Sequence, residues 1–240
     1  MSIKRFFIPF VGRNYKKGIN GKKVLVLGAS FYCKNSECIF FTQCTSVDCK
    51  DSSAYDAICP IYTKDNKELH LEPKYCIEDG VPTYQKFAED MGKYIGTDDY
   101  DEIWSHMAFT NYVQFFLPST NGYRETRKSD LSERDYEAFV ETLMELEPDI
   151  VIVWGCVINN RIKQDNPDMI QNGMLENSDW YVCQIAPKGF ATPITIINPY
   201  HPSMSPWWRT GYDVFDKHFT QLINKYIAML PVIYRDIGVR

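Results

Sequence analysis

The sequence has no long apolar run, no excess of positive charge and no glycine-rich motif of the kinds that bind nucleotides. No stretch of its 240 residues approaches the roughly 18 apolar residues that a membrane-spanning helix needs. The patterns G-x-G-x-x-G, G-x-x-x-x-G-K-S/T and G-x-S-x-G are also missing, which argues against a dinucleotide-binding enzyme, a P-loop enzyme and an α/β-hydrolase. The net charge of −5 excludes a protein held on nucleic acid by its bulk charge.

The first residues do not have the pattern of a secretory leader. The apolar segment 6–11 is short, is interrupted by Pro9 and is followed by Arg13 and Lys16 instead of small residues. We therefore expect a soluble, cytoplasmic protein without a membrane partner. Hydrophobic residues make up 45% of the chain and aromatic residues 15%, which excludes disorder and is enough for one sizeable core.

Charge is distributed unevenly along the chain. Residues 1–36 contain eight basic residues and no acidic one, so the remainder of this −5 chain has a net charge of −13. Two interpretations remain open: a solvated basic arm, about residues 1–23, beside an acidic body, or a local patch that binds a polyanion. Charge alone does not distinguish them.

Short apolar runs alternate with helical patterns. Four runs are polar on neither face, which is typical of parallel strands covered on both sides. They span residues 24–27, 103–109, 150–154 and 194–197. Their alternation with helices predicts an α/β fold, a three-layer αβα sandwich around a mainly parallel four-stranded sheet. We expect one domain over residues 1–240, with a Cys-rich, irregular insertion at about 33–80.

Helix signals lie between these runs. Thr83 is a predicted N-cap for a helix with one apolar face, and Ser132 with Asp135 forms a predicted capping box. A closing amphipathic helix is predicted from the spacing of Phe215 and Phe219.

Each predicted strand leads into a turn with residues that are unusual for a plain connection. These turns contain Gly28-Ala29-Ser30, Thr110-Asn111, Gly155 and His201-Pro202-Ser203. In an open parallel sheet, ligands bind beyond the carboxyl ends of the strands. We therefore expect the four turns to lie close together beyond the carboxyl ends of the strands, in a region called the rim below.

Residue chemistry indicates what the rim binds. Gly28 lets backbone amides approach a ligand closely, and the Asn111 side chain can pair with the edge of a flat heterocycle. His201 comes shortly after a predicted strand, with Pro202 and Ser203 behind it. The alternatives are a plain tight turn at Gly28, an Asn111 that caps its own turn, and a structural His201.

In this order, the segments resemble the uracil-DNA glycosylase superfamily. The resemblance consists of a strand ending in a Gly turn, a Thr-Asn-Tyr-Val strand end, an apolar strand ending in Trp-Gly, and a late His-Pro-Ser. It covers about residues 22–35, 100–160 and 190–225. It implies a monomeric DNA glycosylase that flips a uracil-like or modified base and hydrolyses its N-glycosidic bond without a cofactor, in single- or double-stranded DNA.

The resemblance also implies roles for individual residues. Asn111 would hydrogen-bond the flipped base, and His201 would face the base oxygen on which negative charge develops. Further implied base contacts are Gly28, Ala29, Tyr32 and an aromatic ring at Phe41 or its neighbour Phe40. Implied DNA contacts are Ser203 and Arg209 on phosphates, with Met204, Trp207 and Trp208 as wedges. For the two tryptophans, packing against the last helix is the alternative.

The Gly turn departs from the family pattern. Family members have a polar or acidic residue there that positions the attacking water, whereas this chain has Ala29 and Ser30. Ser30, the remaining catalytic candidate in the turn, can orient water but cannot activate it. Either water is captured late, or Glu37 or Asp48 supplies a carboxylate, or the protein is a catalytically silent nucleic-acid-binding relative.

Six of the eight cysteines lie between Cys33 and Cys76. Four closely spaced thiols are candidate ligands of a structural zinc ion, namely Cys33, Cys38, Cys44 and Cys49. An iron–sulfur cluster is the less favoured metal. A set of reduced, partly buried thiols is the alternative without metal.

Overall fold

The computed structural model describes residues 5, 7–33, 73–114, 116–118, 126–166, 182–198, 201–203, 215–217 and 219–223. Its strands are β1 (Phe10–Val11), β2 (Val24–Gly28), β3 (Phe31–Cys33), β4 (Met107–Asn111), β5 (Phe116–Pro118), β6 (Ile150–Val153), β7 (Val182–Ile185) and β8 (Ile194–Ile197). Its helices are α1 (Pro73–Glu78), α2 (Pro82–Ile95), α3 (Tyr100–Ser105), α4 (Glu133–Leu146) and α5 (Cys156–Asp165). Residues 215–217 and 219–223 are also helical, as predicted for the closing helix.

A mixed six-stranded sheet has the order β1-β4-β2-β6-β8-β7. The four central strands run parallel, and the edge strands β1 and β7 are antiparallel to their neighbours. The predicted α/β class is confirmed, whereas the predicted sheet of four strands is not, since two edge strands extend it. Strand β1 has two residues and strand β7 four, so neither gives a clear periodic pattern.

Both faces of the central sheet are covered, because every residue of β2, β4, β6 and β8 is buried although neighbouring side chains point to opposite faces. Rings of α2 and α3 pack on Phe109 and Trp154: Phe87 lies 5.0 Å from Trp154 and Trp104 lies 6.0 Å from Phe109, between ring centroids. Burial of each such side chain contributes about 1.5–3 kcal/mol. This aromatic cluster lies beneath the ends of β4 and β6.

Of the two helix starts that the sequence predicted, one is confirmed and one is wrong. The capping box is confirmed, because Ser132 and Asp135 bond reciprocally at the start of α4. Thr83 is not an N-cap: α2 begins one residue earlier, with Val81 as N-cap and Pro82 in the first turn. Proline suits that position because its missing N–H has no partner in a first turn anyway.

The predicted strand at 103–109 is partly helical. Asp99 caps α3 by accepting the backbone N–H groups of Asp101 at 2.9 Å and Glu102 at 3.3 Å. Ile103 and Trp104 are therefore buried as helical residues, and β4 begins only at Met107. The end of a buried helix and the start of a buried strand form one apolar run, which composition alone cannot divide.

The predicted insertion at about 33–80 is not irregular throughout, since its last part contains α1. This helix has six residues, too few to show a helical period, and partly buried Cys76 and Ile77 pack on the core. None of the helices in the described stretches combines the length and the apolarity needed to span a membrane.

The second half of the basic arm, residues 12–23, lies at the amino ends of the parallel strands, opposite the rim. Asn14 donates its backbone N–H to Ser105 O at 2.8 Å, and Lys23 donates its own to Asp149 Oδ2 at 2.8 Å. Ser105 and Asp149 shortly precede β4 and β6, so they mark the amino ends of these strands. Much of the arm is paired with the acidic body, through Arg5–Glu145, Arg13–Glu102, Lys22–Asp149 (4.0 Å) and Lys23–Glu147 (3.5 Å).

Candidate functional site

The carboxyl ends of the four parallel strands lie on the same side of the sheet, at the rim. Gly28 of β2 is paired with Asn111 of β4, and on the other side of β2, Leu27 is paired with Val153 of β6. On the far side of β6, Ile152 is the partner of Ile197. The turns that follow β2, β4, β6 and β8 therefore leave the sheet at the same edge, as expected from the sequence.

Gly28 and Asn111 are in direct apposition. A Cβ atom at position 28 would overlap Asn111 Oδ1 and would lie 3.1 Å from the Phe109 ring, so only glycine leaves room for this amide. Beyond the strand ends, Tyr112 N–H donates to Gly28 O at 2.9 Å and Val113 N–H donates to Ala29 O at 3.0 Å. The Gly turn and the Asn turn are thus held together by backbone hydrogen bonds.

The Asn111 side chain is held at the rim with an unused donor. Asn111 is 2% exposed, and its Nδ2 has no hydrogen-bond partner among the described residues. A buried polar group left unpaired costs about 1–3 kcal/mol. An Asn that caps its own turn accepts a backbone N–H at Oδ1, so the unpaired Nδ2 is a free donor under either interpretation.

Gln114 fixes the backbone that presents Asn111. Its Nε2 donates to Asn111 O at 2.8 Å, and its Oε1 accepts Phe7 N–H at 3.1 Å. Its backbone N–H donates to Asp135 Oδ1 at 2.7 Å. Sequence reasoning missed Gln114 and saw Asp135 only as a capping residue; no local pattern signals bonds between residues this far apart in sequence.

His201 packs edge-on against Trp154, the residue after β6, with ring centroids 5.9 Å apart and planes at 71°. Burial lowers the pKa of His201 to about 4, so the ring is neutral near pH 7. Ser203 backbone N–H donates to His201 Nδ1 at 3.3 Å, and Ser203 Oγ lies 2.7 Å from the same nitrogen. Since a backbone N–H can only donate, Nδ1 is an acceptor and the single ring proton is on Nε2.

Trp154 connects the His201 side of the rim to the Asn111 side. Its ring centroid lies 5.6 Å from that of Phe109, whose ring in turn lies against Gly28. Tyr84 lies 5.4 Å from Trp154. Burial, followed by Cys76 and Tyr32, raises the pKa of Tyr84. Tyr32, the predicted base contact, is partly buried against the core.

Buried polar atoms without partners are concentrated at the rim. Within the described stretches, seven such side-chain atoms occur. Four of them belong to the last two residues of β4 and to the residues directly after β6 and β8, namely Thr110, Asn111, Trp154 and Asn198; of the others, Tyr112 has its ring against Phe139 of α4, and Asn159 lies within α5. Native proteins pair nearly all buried polar groups, so a local concentration of exceptions indicates a place where a ligand or ordered water supplies the partners.

The remaining residues of the Gly turn are placed beside a basic segment. Ser30 Oγ lies 3.1 Å from Thr126 Oγ1, and Ala29 and Tyr32 are partly buried. Arg127 and Lys128, which follow Thr126, are exposed. Sequence reasoning did not single out these two cations, because their position near Ser30 depends on the contact of Ser30 with Thr126, 96 residues away in sequence.

Several predicted site residues lie outside the described residues, so their predictions stay untested. They are Phe40, Phe41, Met204, Trp207, Trp208, Arg209, Cys38, Cys44 and Cys49, with Glu37 and Asp48. Cys33 ends β3, and its side chain is not described. In the part of the chain that is described, no group of three or more His, Cys, Asp or Glu side chains is arranged to hold a metal ion.

Comparison with known proteins does not assign the chain to a family. No protein-family model matches it, and no curated protein matches it. The resemblance to uracil-DNA glycosylases therefore depends on the ordered sequence motifs and stays a prediction.

Proposed function

We propose that the protein is a monomeric, monofunctional DNA glycosylase whose rim holds a flipped uracil-like or modified base between Asn111 and His201. The observation that supports this proposal most is the concentration of buried, unpaired polar atoms at the rim. Their positions coincide with the turns that the motif order singles out. A three-layer αβα arrangement around the four parallel strands is part of the proposal.

The rim chemistry suits release of a base. The Asn111 amide offers a donor at Nδ2 and an acceptor at Oδ1, which match adjacent C=O and N–H groups on a base. When the bond between C1′ and the base nitrogen breaks, its electron pair moves into the base and charge develops on a base oxygen. The neutral His201 Nε2–H is a donor suited to that oxygen, and loss of one such donor typically costs about 3–4 kcal/mol.

The sugar cation left by this departure is captured by water. Water adds to C1′ and gives its proton to solvent, and the departing base takes a proton from solvent, so the products are the free base and an abasic sugar. Ser30 orients the water through its hydroxyl group. No cofactor enters these steps; the zinc ion proposed for the cysteine segment would be structural.

A catalytically silent binding protein is the second candidate, because the Gly turn contains no carboxylate. The buried carboxylate that bonds Gln114 beside the Asn turn, Asp135, is already committed. Its oxygens accept hydrogen bonds from Gln114 N–H, from Ser132 N–H and from the Ser132 hydroxyl. It is therefore not available to activate water.

Oligonucleotides that contain uracil, hypoxanthine or a modified cytosine separate the two candidates. The glycosylase proposal expects alkali-labile abasic sites in at least one single- or double-stranded substrate. Asn111→Ala should lower the single-turnover rate about 5- to 150-fold, from about 1–3 kcal/mol of lost hydrogen bonding. Asn166→Ala is the matched control, since Asn166 is a buried amide at the far end of α5. Binding without release from any substrate would favour the silent protein, and neither binding nor release would contradict both.

A further inference from the structure

We propose that Asn198 is a positioning residue, which fastens the segment containing His201 to the turn after β6. The inference rests on the proposed function of the rim and adds a residue to which the motifs assign no role. It is argued from the contacts of Asn198 and His201 with two consecutive residues, Gly155 and Trp154.

The first attachment is a hydrogen bond that extends the sheet. Ile152 and Ile197 form the last paired positions of β6 and β8, and Asn198 is the next residue. Its side chain is fully buried, and its Nδ2 donates to Gly155 O at 3.1 Å. The amide thus ties β8 to the chain after β6 where the backbone ladder has ended.

The accepting carbonyl is itself well defined. Gly155 has a φ of +112°, which L-residues rarely adopt, and its carbonyl also accepts the Asn159 N–H at 3.3 Å at the start of α5. Asn198 therefore joins β8 to a turn that is already fixed by helix α5. Its Oδ1 has no partner in the described residues, so the bond to Gly155 is the one hydrogen bond that this side chain makes there.

The second attachment is the packing of His201 on Trp154, the residue directly before Gly155. The segment is consequently held at both ends, by a hydrogen bond at Asn198 and by a ring contact at His201. Loss of the hydrogen bond removes one of these two attachments and should give water more access to the imidazole. Burial lowers the pKa of His201, so a higher pKa in a variant indicates that the ring has become more exposed to water.

The test compares Asn198→Ala with Asn166→Ala. Asn166 is also buried and also donates its Nδ2 to a backbone carbonyl, that of Ile162 at 2.8 Å, but lies at the other end of α5. Asn166 also accepts the Tyr136 hydroxyl at Oδ1 at 3.0 Å, so Asn166→Ala should lose at least as much stability as Asn198→Ala. Only Asn198→Ala should raise the NMR titration midpoint of His201, by about one pH unit or more toward its ordinary value. It should also lower the single-turnover rate at least tenfold while DNA affinity stays within twofold.

The positioning role is overturned if Asn198→Ala leaves the His201 midpoint at the wild-type value, or if Asn166→Ala moves it equally. Should Asn198→Ala not fold, Asn198→Ser, whose hydroxyl is too short to reach Gly155 O, gives the same comparison. The NMR result does not need turnover: if the wild-type protein releases no base, the proposed function fails while the midpoint still decides the role of Asn198.

Discussion

Replacing Gly28 with Ala is the perturbation whose consequence follows most directly from the structure. The added Cβ would overlap Asn111 Oδ1 and lie 3.1 and 3.3 Å from two atoms of the Phe109 ring. Both neighbours are buried, so the Asn111 amide has to move away from its present position. Overpacking of this kind costs about 1–3 kcal/mol of stability. Displacement of the amide should cost a further 1–3 kcal/mol or so of base binding in the transition state, about 5- to 150-fold in rate.

Single-turnover base release with enzyme in excess measures this loss, and urea unfolding measures the stability change. Gly12→Ala is the matched control, because its Cβ would overlap the Ser105 backbone carbonyl at the opposite edge of the sheet. Both variants should be destabilised, and only Gly28→Ala should slow base release. A folded Gly28→Ala protein that releases the base at the wild-type rate would refute the assignment of Asn111 as the base-binding residue.

Three further predictions address charge, acidity and metal. The pKa of His201 is about 4 in the folded protein, below its ordinary value, so the unfolded chain binds more protons between these values and stability falls as the pH is lowered. Relative to His201→Gln, wild-type protein should lose about 2 kcal/mol between pH 7 and pH 5 in urea unfolding, and equal pH dependence would contradict a buried neutral imidazole. The double substitution Arg127→Gln, Lys128→Gln should reduce the slope of log Kd for DNA against log salt concentration by about 2. The control Lys16→Gln, Lys17→Gln, at the amino ends of the strands, should leave this slope unchanged. Equal effects of the two double variants would contradict a phosphate contact at Arg127 and Lys128. Metal analysis of protein purified without chelator should find one zinc per chain, and a metal-free protein would end the zinc hypothesis.

The sequence predicts the central strands well because burial on both faces leaves a continuous apolar run, as at 24–27 and 194–197. It misses β1 and β7, whose short segments are defined by the neighbouring strands with which they pair. It also misplaces the start of β4, since the apolar residues Ile103 and Trp104 suit a buried helix equally well.

For the site, the sequence predicts which turns lie close together, because parallel strands all end on the same side of the sheet. It does not predict which side chains hold those turns. Gln114 and Asn198 act through backbone carbonyls at Asn111 and Gly155, and the Asn198–Gly155 pair is 43 residues apart. The Asn198 contact depends on the register between strands, and the bonds of Gln114 with Phe7 and Asp135 join residues far apart in sequence, so no local pattern records them.

The most direct measurement is an NMR titration of isotope-labelled protein with free uracil and hypoxanthine, observing the Asn111 side-chain amide and the His201 ring together. A shared pocket predicts that both sets of signals shift along one binding curve with a single dissociation constant for the base that is recognised. Signals that respond separately, or an Asn111 amide that no base perturbs, would contradict a common nucleobase site.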